Sequence, residues 1–180
     1  DVGLFACDDR AGRPFLPAGT VIAREQTYVH TFYKKEATAQ QPATSKEEGN
    51  LVAFSGPDFK ATFDKQSGLL TSYLYKKHEY ILNGQGPRPF FWRAPTDNDY
   101  GANLPVRLKA WKEASYQEPK AESFQVTPGS NATTIKVTYR FPQTDARWDI
   151  TYKIYASGVI KVDNRFVAEG DQAPMIPRVG

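Results

Sequence analysis

A chain of 180 residues suggests one domain, or one domain with a piece of another, and its 40% apolar content is enough to bury a core. Twenty-three basic residues against 20 acidic ones, a net of +3, do not make a nucleic-acid surface, and no apolar run of about 18 residues is present to span a membrane as a helix. The lone Cys7 excludes an internal disulfide and a thiolate zinc cluster. The 10 Tyr, 11 Phe and 3 Trp favour strands. No signal-peptide pattern opens at Asp1. The chain begins directly on strand-like residues and stops at Pro177–Gly180 with no closing element, which suggests an excised piece.

In chain order, Gly3 to Cys7 is a short apolar run, followed by a Gly- and Pro-rich hairpin connection over residues 8–19. Thr20 to Phe32 is the second strand of that pair. Two strands alone are marginal in water, so this unit reads as the end of a β-sandwich. Residues 34–49 carry no large apolar side chain and have linker composition. A domain boundary is placed there, dividing the chain into residues 1–34, a linker over 35–49, and residues 50–180.

From Asn50 the strands resume. Leu51 to Phe54 and Phe59 to Asp64 are strands, the second alternating as FKATFD. Lys65–Gly68 is a turn, Leu69 to Tyr75 pairs back, Lys76–Glu79 is a second turn, and Tyr80 to Leu82 is a short apolar run. Leu104 to Ser115 is the one helix, with Asn103 as its cap and Pro105 in its first turn. Phe124–Thr127, Thr133–Phe141, Arg147–Tyr155 and Val159–Ala168 complete an antiparallel all-β fold with one helical insertion, most simply a sandwich.

The stretch from Pro87 to Trp111 departs from these periodicities. It packs Pro87, Pro89 and Pro95 into nine residues with the aromatic trio Phe90, Phe91 and Trp92, then runs through Arg93 to the polar tip Asp97-Asn98-Asp99, and so reads as a fixed irregular loop. The Asp pair has three uses open to it. It can bind a hard cation, satisfy the loop's own amides and pair with Arg93, or line a polar pocket beside another domain's active site.

Nucleophilic catalysis finds no support, because His30 and His78 stand in no motif. Retaining glycoside hydrolysis needs carboxyl groups about 5–5.5 Å apart across a cleft. Asp97 and Asp99 lie on one loop, and Glu113, Glu118 and Glu122 read as solvated, so no catalytic pair emerges. Trp92, Trp111 and Trp148 suit either sugar stacking or the core. Asn131-Ala132-Thr133 is a sequon of the kind that arises by chance.

Arg93-Ala94-Pro95-Thr96-Asp97-Asn98-Asp99, followed by Gly101, resembles the small-chain region of the large bacterial β-galactosidases of glycoside hydrolase family 2. Weaker resemblances run in the same order along the chain. Phe63 to Leu70 resembles the hairpin before the motif, and Trp111 to Ala114 the helix after it. Ala18 to Gln26 resembles the last strands of the preceding immunoglobulin-like domain, and Pro177 to Gly180 a later strand start.

The resemblance implies that residues 1–34 close an immunoglobulin-like sandwich. Residues 50–180 would then form the first half of a β-supersandwich related to galactose mutarotases. It implies a retaining β-galactosidase acting on terminal β-D-galactosides, whose catalytic glutamates lie on a TIM barrel outside this chain. It also implies Mg2+, and often Na+, at sites outside the chain, and none within it.

The expected partners are the barrel and the remaining domains of the same polypeptide, in a homo-oligomer, with neither nucleic acid nor membrane. The compartment stays open between bacterial cytoplasm and periplasm. Arg93, Asp97 and Asp99 would frame a loop at the rim of the substrate pocket. Gly101 would be its hinge, and Asn98, Asn103 and Trp92 would be candidates to face sugar. The alternatives are a carbohydrate-binding module using Trp92 and the Asp97/Asp99 tip, and a mutarotase-like enzyme. The mutarotase-like reading is poorly served by His78 and Glu79, since neighbours on a strand face opposite ways.

Overall fold

The computed structural model describes residues 2–5, 21–25, 41–170 and 175–180. The chain divides into two compact units, Asp1–Ala37 and Thr38–Gly180. In the first, β1 (Val2–Phe5) pairs antiparallel with β2 (Val21–Glu25), with a register shift between Leu4 and Phe5. The two expected strands are thus met over these spans. Cys7, His30 and the connection over 6–20 lie outside the described residues.

The second unit is a sandwich of two antiparallel sheets. The first sheet, in the order β3-β4-β5-β6-β7, is built from β3 (Thr44–Glu48), β4 (Leu51–Ser55), β5 (Phe59–Asp64), β6 (Leu70–Tyr75) and β7 (His78–Glu79). The second, in the order β11-β10-β9-β8, is built from β8 (Ser123–Thr127), β9 (Thr133–Phe141), β10 (Ala146–Ile154) and β11 (Ile160–Ala168). Between the sheets in sequence come three short helices: α1 (Asp97–Gly101), α2 (Leu104–Arg107) and α3 (Lys109–Tyr116). The all-β class expected from the sequence holds.

Alternation explains which faces meet. In β5, Phe59, Ala61 and Phe63 are buried while Lys60 is exposed; in β10, Ala146, Trp148, Ile150, Tyr152 and Ile154 are all buried. These faces share one core, in which the Phe63 ring stands edge-on to Tyr152 at 5.1 Å. Burying one such aromatic side chain stabilises by roughly 1.5–3 kcal/mol.

The turns that set this register have local causes. Asp64 accepts from the Gln66 and Ser67 N–H groups and the Ser67 hydroxyl, an Asx-type turn. Gly68 closes it at φ 76°, pressed against Tyr139. Between β6 and β7, Lys76 and Lys77 both take positive φ, 46° and 70°, the signs a two-residue type I′ hairpin requires. That turn is therefore only two residues long, and His78 and Glu79 pair with Tyr75 and Leu74 as a strand where turn was expected. The run Tyr80 to Leu82 leads instead into a short 3-10 turn at Leu82–Gly84.

Two expectations need correction. Residues 41–49 are not linker. β3 pairs in full with β4, the Ala156 N–H donates to Gln41 O, Pro42 bridges Tyr155, and Ala43 is buried. Every β3 side chain is exposed, so its attachment is through backbone bonds, which hydropathy does not register. Its Lys and Glu side chains are those that protect a sheet edge.

The helix expected over 104–115 is two helices broken at Leu108 (φ −108°, ψ 21°). Leu108, at the break, and Trp111 are both buried in the core. Asn103 stands at the N-cap position in the left-handed region (φ 54°), and its side chain makes no capping bond.

Candidate functional site at the head of helix α1

The prolines, aromatics and polar tip of residues 87–111 resolve into an anchor and a head. Phe91 is the anchor. It is fully buried, with ring centroids of Trp111, Phe141, Trp148 and Phe166 at 4.8, 4.9, 5.4 and 5.9 Å. Its N–H donates to the Ser115 hydroxyl, which donates in turn to the Trp111 carbonyl of α3. One residue earlier, Phe90 exchanges both backbone hydrogen bonds with Gly180. Trp111 and Trp148 are therefore core residues. Trp92 is 7% exposed, with the Lys112 ammonium 5.9 Å from its ring centroid.

The head is organised by Asp99. Arg93 donates Nη1 to Asp99 Oδ2 at 2.6 Å and Nη2 to Oδ1 at 2.8 Å, a bidentate fork. The Thr96 N–H (2.7 Å) and hydroxyl (3.0 Å) also donate to Oδ2. Thr96 is the N-cap of α1 and Asp99 its third residue, so the carboxylate reaches back as in a capping box. The Arg93 fork, then the Thr96 N–H, hold the Asp99 carboxyl down at about 2 against an ordinary 3.8. The same contact raises the Arg93 guanidinium further.

Of the residues singled out in the sequence, Arg93 and Asp99 are brought together. Asp97 is exposed and takes no part in these bonds. Thr96 completes the frame; its Thr-x-x-Asp spacing is a helix-start signal inside a stretch whose prolines point to loop. Asn98, Gly101 and Asn103 are exposed on the succeeding turns. Around Gly101 there is open space, since a Cβ built there would meet nothing within 4 Å. Beside the head lies a small apolar pocket of about 210 Å3, walled by Trp92, Arg93, Pro95, Leu104, Leu108 and Ile176.

The donor set does not suit a cation. Both Asp99 oxygens are taken by protein donors, and among the described residues no three His, Cys, Asp or Glu side chains cluster as ligands would. His78 is exposed on β7.

The family model of the β-galactosidase small chain matches residues 55–180, running through the whole of this head. This chain belongs to that family. It is 32% identical over 143 residues to a β-galactosidase of Priestia megaterium, covering 79% of this chain and 13% of that protein. A β-galactosidase of Streptococcus thermophilus is 29% identical over 179 residues, 97% of this chain and 17% of the relative. The β-galactosidase small subunit of Latilactobacillus sakei is 29% identical over 133 residues, 62% of this chain and 41% of that subunit. The chain thus spans less than a fifth of the two β-galactosidases and about two fifths of the small subunit. Within the small-chain family, the α1 head is the RAPTDND segment given a fixed shape by one aspartate.

Proposed function

We propose that this chain is a non-catalytic portion of a retaining β-galactosidase that hydrolyses terminal β-D-galactosides. In this reading it packs beside a catalytic barrel of the same polypeptide, within a homo-oligomer, and the α1 head helps to form the rim of the substrate pocket. The observation that carries it is the small-chain match over residues 55–180, which takes in the Asp99-centred head. Arg93, Thr96 and Asp99 hold the head rigid, Gly101 serves as hinge for the segment leading into α2, and in this reading the exposed Asn98 and Asn103 are the side chains that meet sugar. The paired glutamates, and the Mg2+ and Na+ sites, belong to parts of the polypeptide outside these residues. Residues 1–34 are assigned to the end of an immunoglobulin-like domain. A stand-alone sugar-binding module would need Trp92 and the Asp97/Asp99 tip, yet Trp92 lies in the core and Asp99 is already fully bonded.

The test has two arms. The isolated chain should give no protein-specific turnover of a chromogenic galactoside, and turnover would overturn the non-catalytic assignment. In the full-length polypeptide, Arg93→Ala should lower both thermal stability and galactoside turnover; if neither changes, the head is not the frame of a rim.

A further inference from the structure

The two sides of helix α1 are used differently. Asp99 is buried and committed to Arg93 and Thr96. Asp97 stands two residues earlier, and residues two apart on a helix do not face each other. Its carboxylate is exposed and lies outside the Arg93 fork. Tyr100 stands three residues after Asp97, the spacing that does bring side chains together on a helix surface. Its ring is 63% exposed, and among the described residues neither the ring nor the hydroxyl has a partner. Asn103, exposed on the following turn, donates its N–H to the Tyr100 carbonyl at 3.0 Å.

Other exposed tyrosines have a packing reason for their place. The Tyr116 ring stands edge-on to Phe90 at 5.4 Å, and Tyr80 lies 6.0 Å from Tyr73. Tyr100 covers no such neighbour. Its backbone is nonetheless fixed. The Tyr100 N–H donates to the Thr96 carbonyl at 3.1 Å, and the Ala102 N–H to the Asn98 carbonyl at 3.0 Å. The ring therefore hangs from the locked part of the head, one residue before the open space at Gly101.

We propose that Tyr100 is a stacking platform for the leaving sugar of a galactoside, with Asp97 accepting hydrogen bonds from that sugar's hydroxyls. The inference rests on the reading of the α1 head as a pocket rim. A pyranose has an apolar C–H face that an aromatic ring covers, and hydroxyls at its edge that a carboxylate or amide oxygen binds. One large apolar surface with a few placed polar groups is how a small-molecule site fixes orientation. The free Asp97 charge suits a neutral polyol and disfavours an anion. Tyr100 and Asp97 thus select the leaving group, preferring a sugar to a small alcohol, and take no part in bond cleavage.

The experiment uses the full-length polypeptide and compares kcat/KM for lactose, whose leaving group is a sugar, with that for methyl β-D-galactoside, whose leaving group is methanol. Tyr100→Ala should lower the ratio of the two roughly three- to tenfold. Tyr100→Phe keeps the ring and should keep the ratio. Asp97→Ala should lower it as well, whereas Tyr80→Ala, at a tyrosine packed on Tyr73, should leave it where it is. All four changes fall on exposed side chains, and matched thermal melts exclude a folding defect. Equal losses on both substrates in Tyr100→Ala, or no loss on either, overturn the proposal. So do a Tyr100→Phe that behaves like the alanine variant and an Asp97→Ala with an unchanged ratio. A full-length polypeptide that turns over neither galactoside defeats the galactosidase reading itself, a result distinct from an unshifted ratio.

Discussion

Two loops of the second unit are each gathered by one aspartate, and they are held in different ways. At the β5–β6 turn, Asp64 collects two backbone N–H groups and the Ser67 hydroxyl. Packing then completes the work. Gly68 lies so close to Tyr139 that a Cβ there would stand 2.4 Å from the hydroxyl, a group with no hydrogen-bond partner among the described residues. At the α1 head, Asp99 collects a guanidinium fork as well as the Thr96 N–H and hydroxyl, and the chain then runs out to Gly101 in open space. The first loop is fixed along its whole length. The second is fixed at its start and unconfined at its end, which is the property a hinged rim segment needs.

The largest effect should come from removing the anchor behind the second loop. Phe91→Ala deletes a ring touched by four other aromatics and should cost about 3–5 kcal/mol in denaturant unfolding. Gly68→Ala attacks the first loop through its backbone. It combines a left-handed φ with a clash against Tyr139 and Val137, and about 2–4 kcal/mol is expected by the same measurement. A change near zero would mean that the turn can relax away from β9, and the contrast between the loops would fail.

The head itself should respond to acid. Folding lowers the Asp99 carboxyl from 3.8 to about 2, so the folded state binds this proton less readily than the unfolded one. Its contribution is complete above the unfolded value and is lost as pH falls through about 2. Asp99→Asn should therefore lower the melting temperature at neutral pH, by less than Phe91→Ala does. It should also flatten the acid limb of the stability curve across that interval. An unchanged acid limb would show that the Arg93 fork does not persist in solution.

How far the sequence reveals this architecture depends on which force holds each part. β5, β9 and β10 declare themselves because burial writes alternation into side chains such as Phe59, Phe63, Trp148 and Tyr152. β3 does not, because Thr44–Glu48 is held through its backbone and its side chains all face water. The pairing of Arg93 with Asp99 is legible from local chemistry and from the motif. The α1 helix is not, because five residues carry no periodicity and the Thr96–Asp99 spacing is the sole cue. The break at Leu108 is not legible either, because Leu108 and Trp111 stand three apart, a spacing that an unbroken helix also brings to one face.

The smallest effect on stability should be at Gly101, and it separates hinge from spacer. Gly101 ends α1 without a positive φ and without a neighbour for a Cβ, so Gly101→Ala meets no strain. Alanine also restricts the unfolded chain and favours helix, so the isolated chain should gain about 0.5–1 kcal/mol in denaturant unfolding. A spacer would show that gain and nothing more. A hinge would also change kcat and KM for a galactoside in the full-length polypeptide, because stiffening the pivot shifts how often the adjoining segment opens and closes. Unchanged kinetics alongside the stability gain would remove Gly101 from the mechanism while leaving the Asp99 lock intact. At Gly68 the two readouts cannot be separated in this way, because the same substitution unfolds the turn that carries it.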